Sequence, residues 1–266
     1  MNTAGAAVIV VGAVGVALLV GLARRRSDEV ARCGPGFVAR GARCMVPAGT
    51  CPPPLVPQAS GCDSPDVRVS VPATTVFLGP ADWEATGVRA RTVRVNAFRI
   101  DAFEVTRGHW DPSAADDPAR AASGMTRAEA EAYCHGHGGR LPTEDEWIVA
   151  AVSSADPAHR YPWGDTGAVC RRAAWGLANG PCATGADGPD TVGSHRDGDS
   201  PLGLHDVAGN VAEWVAAAEG EAASRGSARG GSWRSELASE LRVWARLELS
   251  EEAHDPRLGL RCAYPP

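Results

Sequence analysis

The sequence predicts a loop-rich chain of short strands and sparse, short helices, with most of its length in one domain. Three observations predict this. Thr126 with Glu129, and Thr143 with Glu146, each have the spacing of a capping box and open a short helix. Polar and apolar residues alternate over 67–78, 91–100 and 241–248, the period of half-buried strands. Much of 153–209 is Gly, Pro, Asp and Ser, which reads as loop.

The elements follow in order. Val67, Val69, Val71 and Val76 mark an incoming strand. Arg91–Ile100 alternates and leads into Asp101–Thr106. The first capped helix runs through Ala128–His135 and stops at Gly136–Gly139. The second starts after Thr143 and buries Trp147, Val149 and Ala150. Leu241, Val243, Ala245 and Leu247 alternate with Arg242, Trp244, Arg246 and Glu248, giving a strand with one apolar face. His254–Arg257 then turns into a closing strand over Leu258–Ala263. No internal repeat is present.

The chain of 266 residues suffices for one sizeable domain plus a tail. Net charge is -6 with both signs mixed, and no basic arm stands out. That argues against a nucleic-acid partner, because neutralising phosphates needs clustered Lys or Arg. Residues 3–23 are uncharged and rich in Val, Ala, Leu and Gly. As a helix they would span about 30 Å, enough for a membrane. The division is therefore 1–26 as a transmembrane signal anchor with basic flank, 27–66 as a Cys, Pro and Gly-rich linker, and 67–266 as the domain. Arg24–Arg26 favour a cytoplasmic carboxyl side, whereas the cysteines favour export. The expectation is a membrane-anchored protein with its domain in the periplasm or extracellular space, the orientation left open.

There are eight cysteines. Cys33 with Cys44, Cys51 with Cys62, and Cys170 with Cys182 each bracket a short segment. A bond across any of them would be worth roughly 2–4 kcal/mol. The even number suits an oxidising compartment, but spacing alone does not give connectivity. The four amino-terminal cysteines lack the compact spacing of a structural zinc knuckle.

Five motifs then stand in a fixed order: Arg140-Leu-Pro-Thr-Glu-Asp-Glu-Trp147, Tyr161-Pro-Trp-Gly164, Gly209-Asn-Val-Ala-Glu-Trp214, Arg229-Gly-Gly-Ser-Trp233 and Gly259-Leu-Arg-Cys262. The ordered set resembles the sulfatase-modifying factor, or formylglycine-generating enzyme, family over roughly residues 71–263. The resemblance implies an α+β fold of the formylglycine-generating-enzyme type, related to C-type lectin-like architecture. It also implies a bond between Cys134 and Cys262.

The resemblance further implies calcium at Asn210 and Glu213, where hard oxygens meet a glycine-freed backbone. Hydrogen bonding that fixes this loop is the other account. The family's other calcium site is not matched by Asn179, Asp187 and Asp190 around Ala173-Ala174-Trp175. Oxidase members carry two copper-binding cysteines just after Gly-Gly-Ser. Here Ser235 and Glu240 fall at those positions, and neither makes a soft copper site. The resemblance thus implies a divergent member without the reactive pair, and copper-dependent formylglycine formation is not expected of it.

Ser235, Glu240, Arg242 and His254 are the candidate pocket residues, with no confident catalytic assignment. Kept scaffold motifs and a lost reactive pair favour a noncatalytic envelope protein, a pseudoenzyme that binds a protein, peptide or glycan. The alternatives are a divergent oxidoreductase or other enzyme using nonstandard residues in the pocket, and a purely structural envelope domain.

Overall fold

A computed structural model describes residues 33–78, 90–113, 117–153, 159–217 and 225–266. Two small antiparallel hairpins come first: β1 (Val38–Arg40) with β2 (Arg43–Met45), and β3 (Val56–Gln58) with β4 (Gly61–Asp63). Disulfides Cys33–Cys44 and Cys51–Cys62 staple them. These hairpins do not stand apart. Cys33, Phe37, Cys44 and Leu55 are buried in one cluster with Phe103 and Val192.

The run 67–78 divides into β5 (Arg68–Val71) and β6 (Thr74–Leu78). Pro72 lies at the break and has no amide to continue a ladder. Residues 91–100 divide likewise into β7 (Arg91–Val95) and β8 (Phe98–Asp101). Among the described residues β6 pairs only with β7, while β8 takes β5 on one edge and β13 (Ala263–Tyr264) on the other. Alternation told which residues face the core, but not that the partner changes midway.

The helices are α1 (Arg107–Trp110), α2 (Arg127–Gly136) and α3 (Glu144–Val152). Both capping boxes form, with Thr126 and Thr143 accepting from the amides of Glu129 and Glu146. The Glu146 carboxylate also accepts from both terminal nitrogens of Arg140 at 2.6 Å, which fixes the turn before α3. Disulfide Cys134–Cys262 ties α2 to the chain end.

A second sheet runs in the order β11 (Arg246–Ser250), β10 (Arg225–Arg229), β9 (Ala212–Trp214) and β12 (Leu258–Gly259). Only β12 is parallel to its neighbour. The strand expected over 241–248 is therefore shorter. A 3-10 turn takes Ala238–Leu241, and the Val243 amide donates to the Arg160 carbonyl instead of a ladder. Leu241 and Val243 are buried, but in different clusters.

The long loop before β9 is held by apolar pins. Trp233 and Leu241 pack with Tyr161, Ala173, Trp175 and Leu177, and Cys170–Cys182 closes the segment. Tyr161 stacks on Trp163 with ring centroids 5.0 Å apart, so the Tyr-Pro-Trp-Gly turn serves packing. The result is an α+β, loop-rich fold with short helices and small, mainly antiparallel sheets.

The anchor expected over residues 3–23 lies outside the described residues. Among the described residues no helix is long and apolar enough to cross a membrane. The transmembrane anchor, the membrane partner and the membrane-anchored location expected from that run are corrected accordingly: no spanning helix among the described residues supports them.

Candidate functional site

The Gly-Asn-Val-Ala-Glu-Trp segment sits at the buried polar centre of the molecule. Gly209 and Asn210 both take positive φ, +89° and +54°, which glycine and asparagine tolerate best. This aims the Asn210 side chain inward. Its Oδ1 accepts from the Asp190 amide at 2.8 Å, and its Nδ2 donates to Glu104 Oε2 at 2.5 Å. Glu213 Oε2 accepts from Trp147 Nε1 at 2.6 Å and Arg261 Nε at 2.8 Å, and its Oε1 accepts from Arg261 Nη2 at 2.7 Å. Burial, then the charges of Asp206 and Glu213, hold the Glu104 carboxyl far above the usual carboxylate range.

Calcium needs several free oxygens around one point. Asn210 Oδ1 is engaged by a backbone amide, and the Glu213 carboxylate faces the Arg261 cation through both oxygens. These side chains do not fit a calcium site as they stand. They do fix the loop by hydrogen bonding.

A cavity of about 270 Å³ opens beside the Gly-Gly-Ser turn. Ser232, Ser235, Ser239, Glu240, Arg246 and Arg257 supply its polar lining. The glycines are needed here. A Cβ on Gly231, whose φ is +71°, would lie 2.7 Å from the Glu240 carbonyl oxygen and 3.1 Å from Ser235 Oγ. Ser235 Oγ accepts from the Ser232 amide at 3.0 Å, and the Glu240 carboxylate accepts from the amides of Glu236 and Leu237 at 2.9 and 3.0 Å. Arg257 is paired with Asp255, and Arg246 with Glu144.

The four candidate pocket residues do not all meet. Ser235 and Glu240 share the cavity. Arg242 is outside its lining, with its guanidinium 5.8 Å from the Trp244 ring centre. His254 is exposed and bonds the Gly124 carbonyl at 2.9 Å, beside α2.

A third arrangement is not legible in the sequence. Cys44, Asp190 and His195 are all buried, and one ligand-type atom from each lies within 4.8 Å of the others. His195 Nε2 is 3.0 Å from Asp190 Oδ2, and the Cys44 amide donates to Asp190 Oδ1 at 3.1 Å. Burial by itself would lower the His195 pKa, but the hydrogen bond and charge of Asp190, with Asp206, raise it overall. Asp190 and Cys44 are separated by 146 positions, so no local spacing could reveal the group.

Residues 55–265 match the sulfatase-modifying factor enzyme 1-like domain. The chain belongs to this family. Hercynine oxygenase of Mycolicibacterium thermoresistibile is 37% identical over 187 residues, covering 60% of the chain and 39% of that protein. Inactive C-alpha-formylglycine-generating enzyme 2 of Bos taurus is 34% identical over 150 residues, covering 51% of the chain and 47% of that protein. The chain thus spans less than half the length of either relative. Among solved structures, PvdO from Pseudomonas aeruginosa superposes with a TM-score of 0.62 at 18% identity, covering 82% of the chain and 100% of PvdO. Treponema denticola variable protein 1 gives 0.60 at 21% identity, covering 75% and 95%. These two share the fold.

This member of the sulfatase-modifying-factor family lacks the family's catalytic cysteine pair, since all eight cysteines lie elsewhere and are disulfide-bonded. The step from that loss to an absence of catalysis needs correction. It rested on Ser235 and Glu240 alone, whereas Cys44, Asp190 and His195 also bring ligand-type atoms together, with Cys44 held in its disulfide to Cys33. The identity of Ser235 and Glu240 does not decide whether the domain is an enzyme. Nor does that group indicate calcium or copper in particular.

Proposed function

We propose that this sulfatase-modifying-factor domain binds a peptide segment of a protein partner in the cavity beside Ser235. The observation that carries the reading is the lining itself. Ser232, Ser235, Ser239 and Glu240 line it together with the apolar Ala212, Ala228, Ala245 and Leu247. The two guanidinium groups there are each balanced by an acid. Such a lining suits the neutral amides of a peptide better than a strongly charged ligand. A glycan would gain from an aromatic face to stack on, and this lining has no aromatic ring.

In this reading residues 67–266 form the working domain, and the stapled segment within 27–66 is laid against it. The relation to C-type lectin-like architecture belongs with the same reading. Calcium at Asn210 and Glu213 has no part in it, because their oxygens already serve protein partners. Catalysis is left outside it. The fold alone assigns no partner, so the cavity has to be tested directly.

The test is selection of a displayed random-peptide library on the full chain and on Ser239→Trp, whose indole would fill the cavity. Circular dichroism would check that the variant is folded. Peptides enriched by the native chain and lost with Ser239→Trp support the reading. Equal enrichment by both chains, or binding only on a glycan array, would sink it.

A further inference from the structure

We propose that reduction of the Cys33–Cys44 disulfide opens a site for a borderline divalent cation such as zinc, made by Cys33, Cys44, Asp190 and His195. The site is independent of the cavity beside Ser235. Three of its groups are already assembled. Ligand-type atoms of Cys44, Asp190 and His195 lie within 4.8 Å of one another, and all three residues are buried. Only the disulfide keeps Cys44 from acting as a thiolate ligand. Cys33 is bonded to it, so reduction would release a second thiol at the same place. Two sulfurs, one imidazole and one carboxylate form a four-ligand set that zinc takes in tetrahedral geometry.

The surroundings of His195 support this. Its ring is 1% exposed, yet Nδ1 has no hydrogen-bond partner. The Cys170 backbone is close enough to act on the ring. A metal on Nε2 would displace the present contact with Asp190 and fix the proton on Nδ1. Metal-bound histidines commonly direct their second nitrogen at a backbone carbonyl. Asp190 is also held from behind, since Oδ1 accepts from the Cys44 amide. The Thr191 hydroxyl donates to the Cys44 carbonyl at 2.9 Å and anchors the same strand.

The chemistry balances with a dithiol as reductant. One dithiol thiolate attacks the disulfide, and its second thiol resolves the mixed disulfide. The dithiol leaves as its cyclic disulfide, while Cys33 and Cys44 together gain two electrons and two protons. The cation then displaces those two thiol protons to solution as it binds. Oxidation removes both thiolates and releases the metal, so the site is closed in the disulfide form.

Cobalt(II) is the probe, added without oxygen to the full chain before and after dithiol treatment and dithiol removal. The expected result is one equivalent bound only after reduction, with thiolate-to-cobalt charge transfer and the strong d–d absorption of a tetrahedral site. His195→Ala should weaken this binding by about tenfold or more. Because reduction or the variant can loosen the fold, a second readout uses the native sequence. The reduced, zinc-treated chain is alkylated with iodoacetamide and each cysteine is read by mass spectrometry. Protection confined to Cys33 and Cys44 supports the site. No protection, protection at other cysteines, cobalt uptake by the oxidised chain, or unchanged binding in a folded His195→Ala chain would each overturn it.

Discussion

Glu213 grips Arg261 through both carboxylate oxygens, and the Trp147 indole donates to one of them. Arg261 in turn donates to the carbonyls of Asp101, Ala102 and His205. One fully buried cation thus joins β9, the end of β8 and the loop before Asp206. Removing its counter-charge leaves Arg261 buried and unpaired. Such a break costs about 3–5 kcal/mol. Glu213→Gln should therefore lower the urea midpoint strongly. Added calcium should leave the native midpoint unchanged, because Glu213 serves as a counter-ion and not a metal ligand. A calcium-dependent rise in the native chain that Glu213→Gln abolishes would show that the segment is a calcium site after all.

Asp101 lies between β8 and the chain end, accepting from the Cys262 amide at 2.9 Å. Burial raises its pKa to about 6, against the opposing pull of that amide, Tyr264, Arg261 and Arg68. The folded value exceeds the unfolded one, so the contribution to stability is fully present below about pH 4 and is lost as pH rises through about 6. Asp101→Asn removes this titration. The variant's melting temperature, relative to the native chain, should climb as pH goes from about 4 to about 7. A constant difference across that range would refute the assignment.

The disulfides differ in the loops they close. Cys134–Cys262 spans 128 positions, whereas Cys51–Cys62 spans 11. Chain entropy makes the long closure worth about 4–5 kcal/mol and the short one about 3 kcal/mol. The double variant Cys134→Ser with Cys262→Ser should be the less stable of the two pairwise replacements by equilibrium denaturation. The reverse order would mean that packing of the short hairpin outweighs loop closure.

Gly231 carries both a positive φ and a backbone neighbour where a Cβ would go. Gly231→Ala should cost about 1–3 kcal/mol through strain, and the cavity wall would shift. Denaturation together with peptide binding would show both effects. A neutral substitution would mean that the Gly-Gly turn is not the constraint on the cavity.

The two longer helices were legible because caps are written locally. Thr126 with Glu129 and Thr143 with Glu146 carry their own start signals. Strands were legible as faces and illegible as pairings. Pro72 and Asn96 lie at breaks where the partner changes, and the partner depends on residues far away. The Ser235–Glu240 relation could be read from its short offset after Gly-Gly-Ser. His254 could not be excluded from that pocket without knowing that it bonds Gly124, 130 positions earlier. Asp190 and His195 are five positions apart and read as polar loop, because burial of a loop is not encoded in its composition. Cys44 joins them only through the fold.

β8 pairs with β5, made early, and with β13, the last strand of the chain. During synthesis the β8 edge facing β13 stays open until Ala263 and Tyr264 have left the ribosome. A nascent chain, or one cut short by a late stop codon, presents that bare edge to its neighbours and invites strand-to-strand clumping. A chain cut just before Ala263 should therefore lose yield as severely as one cut much earlier.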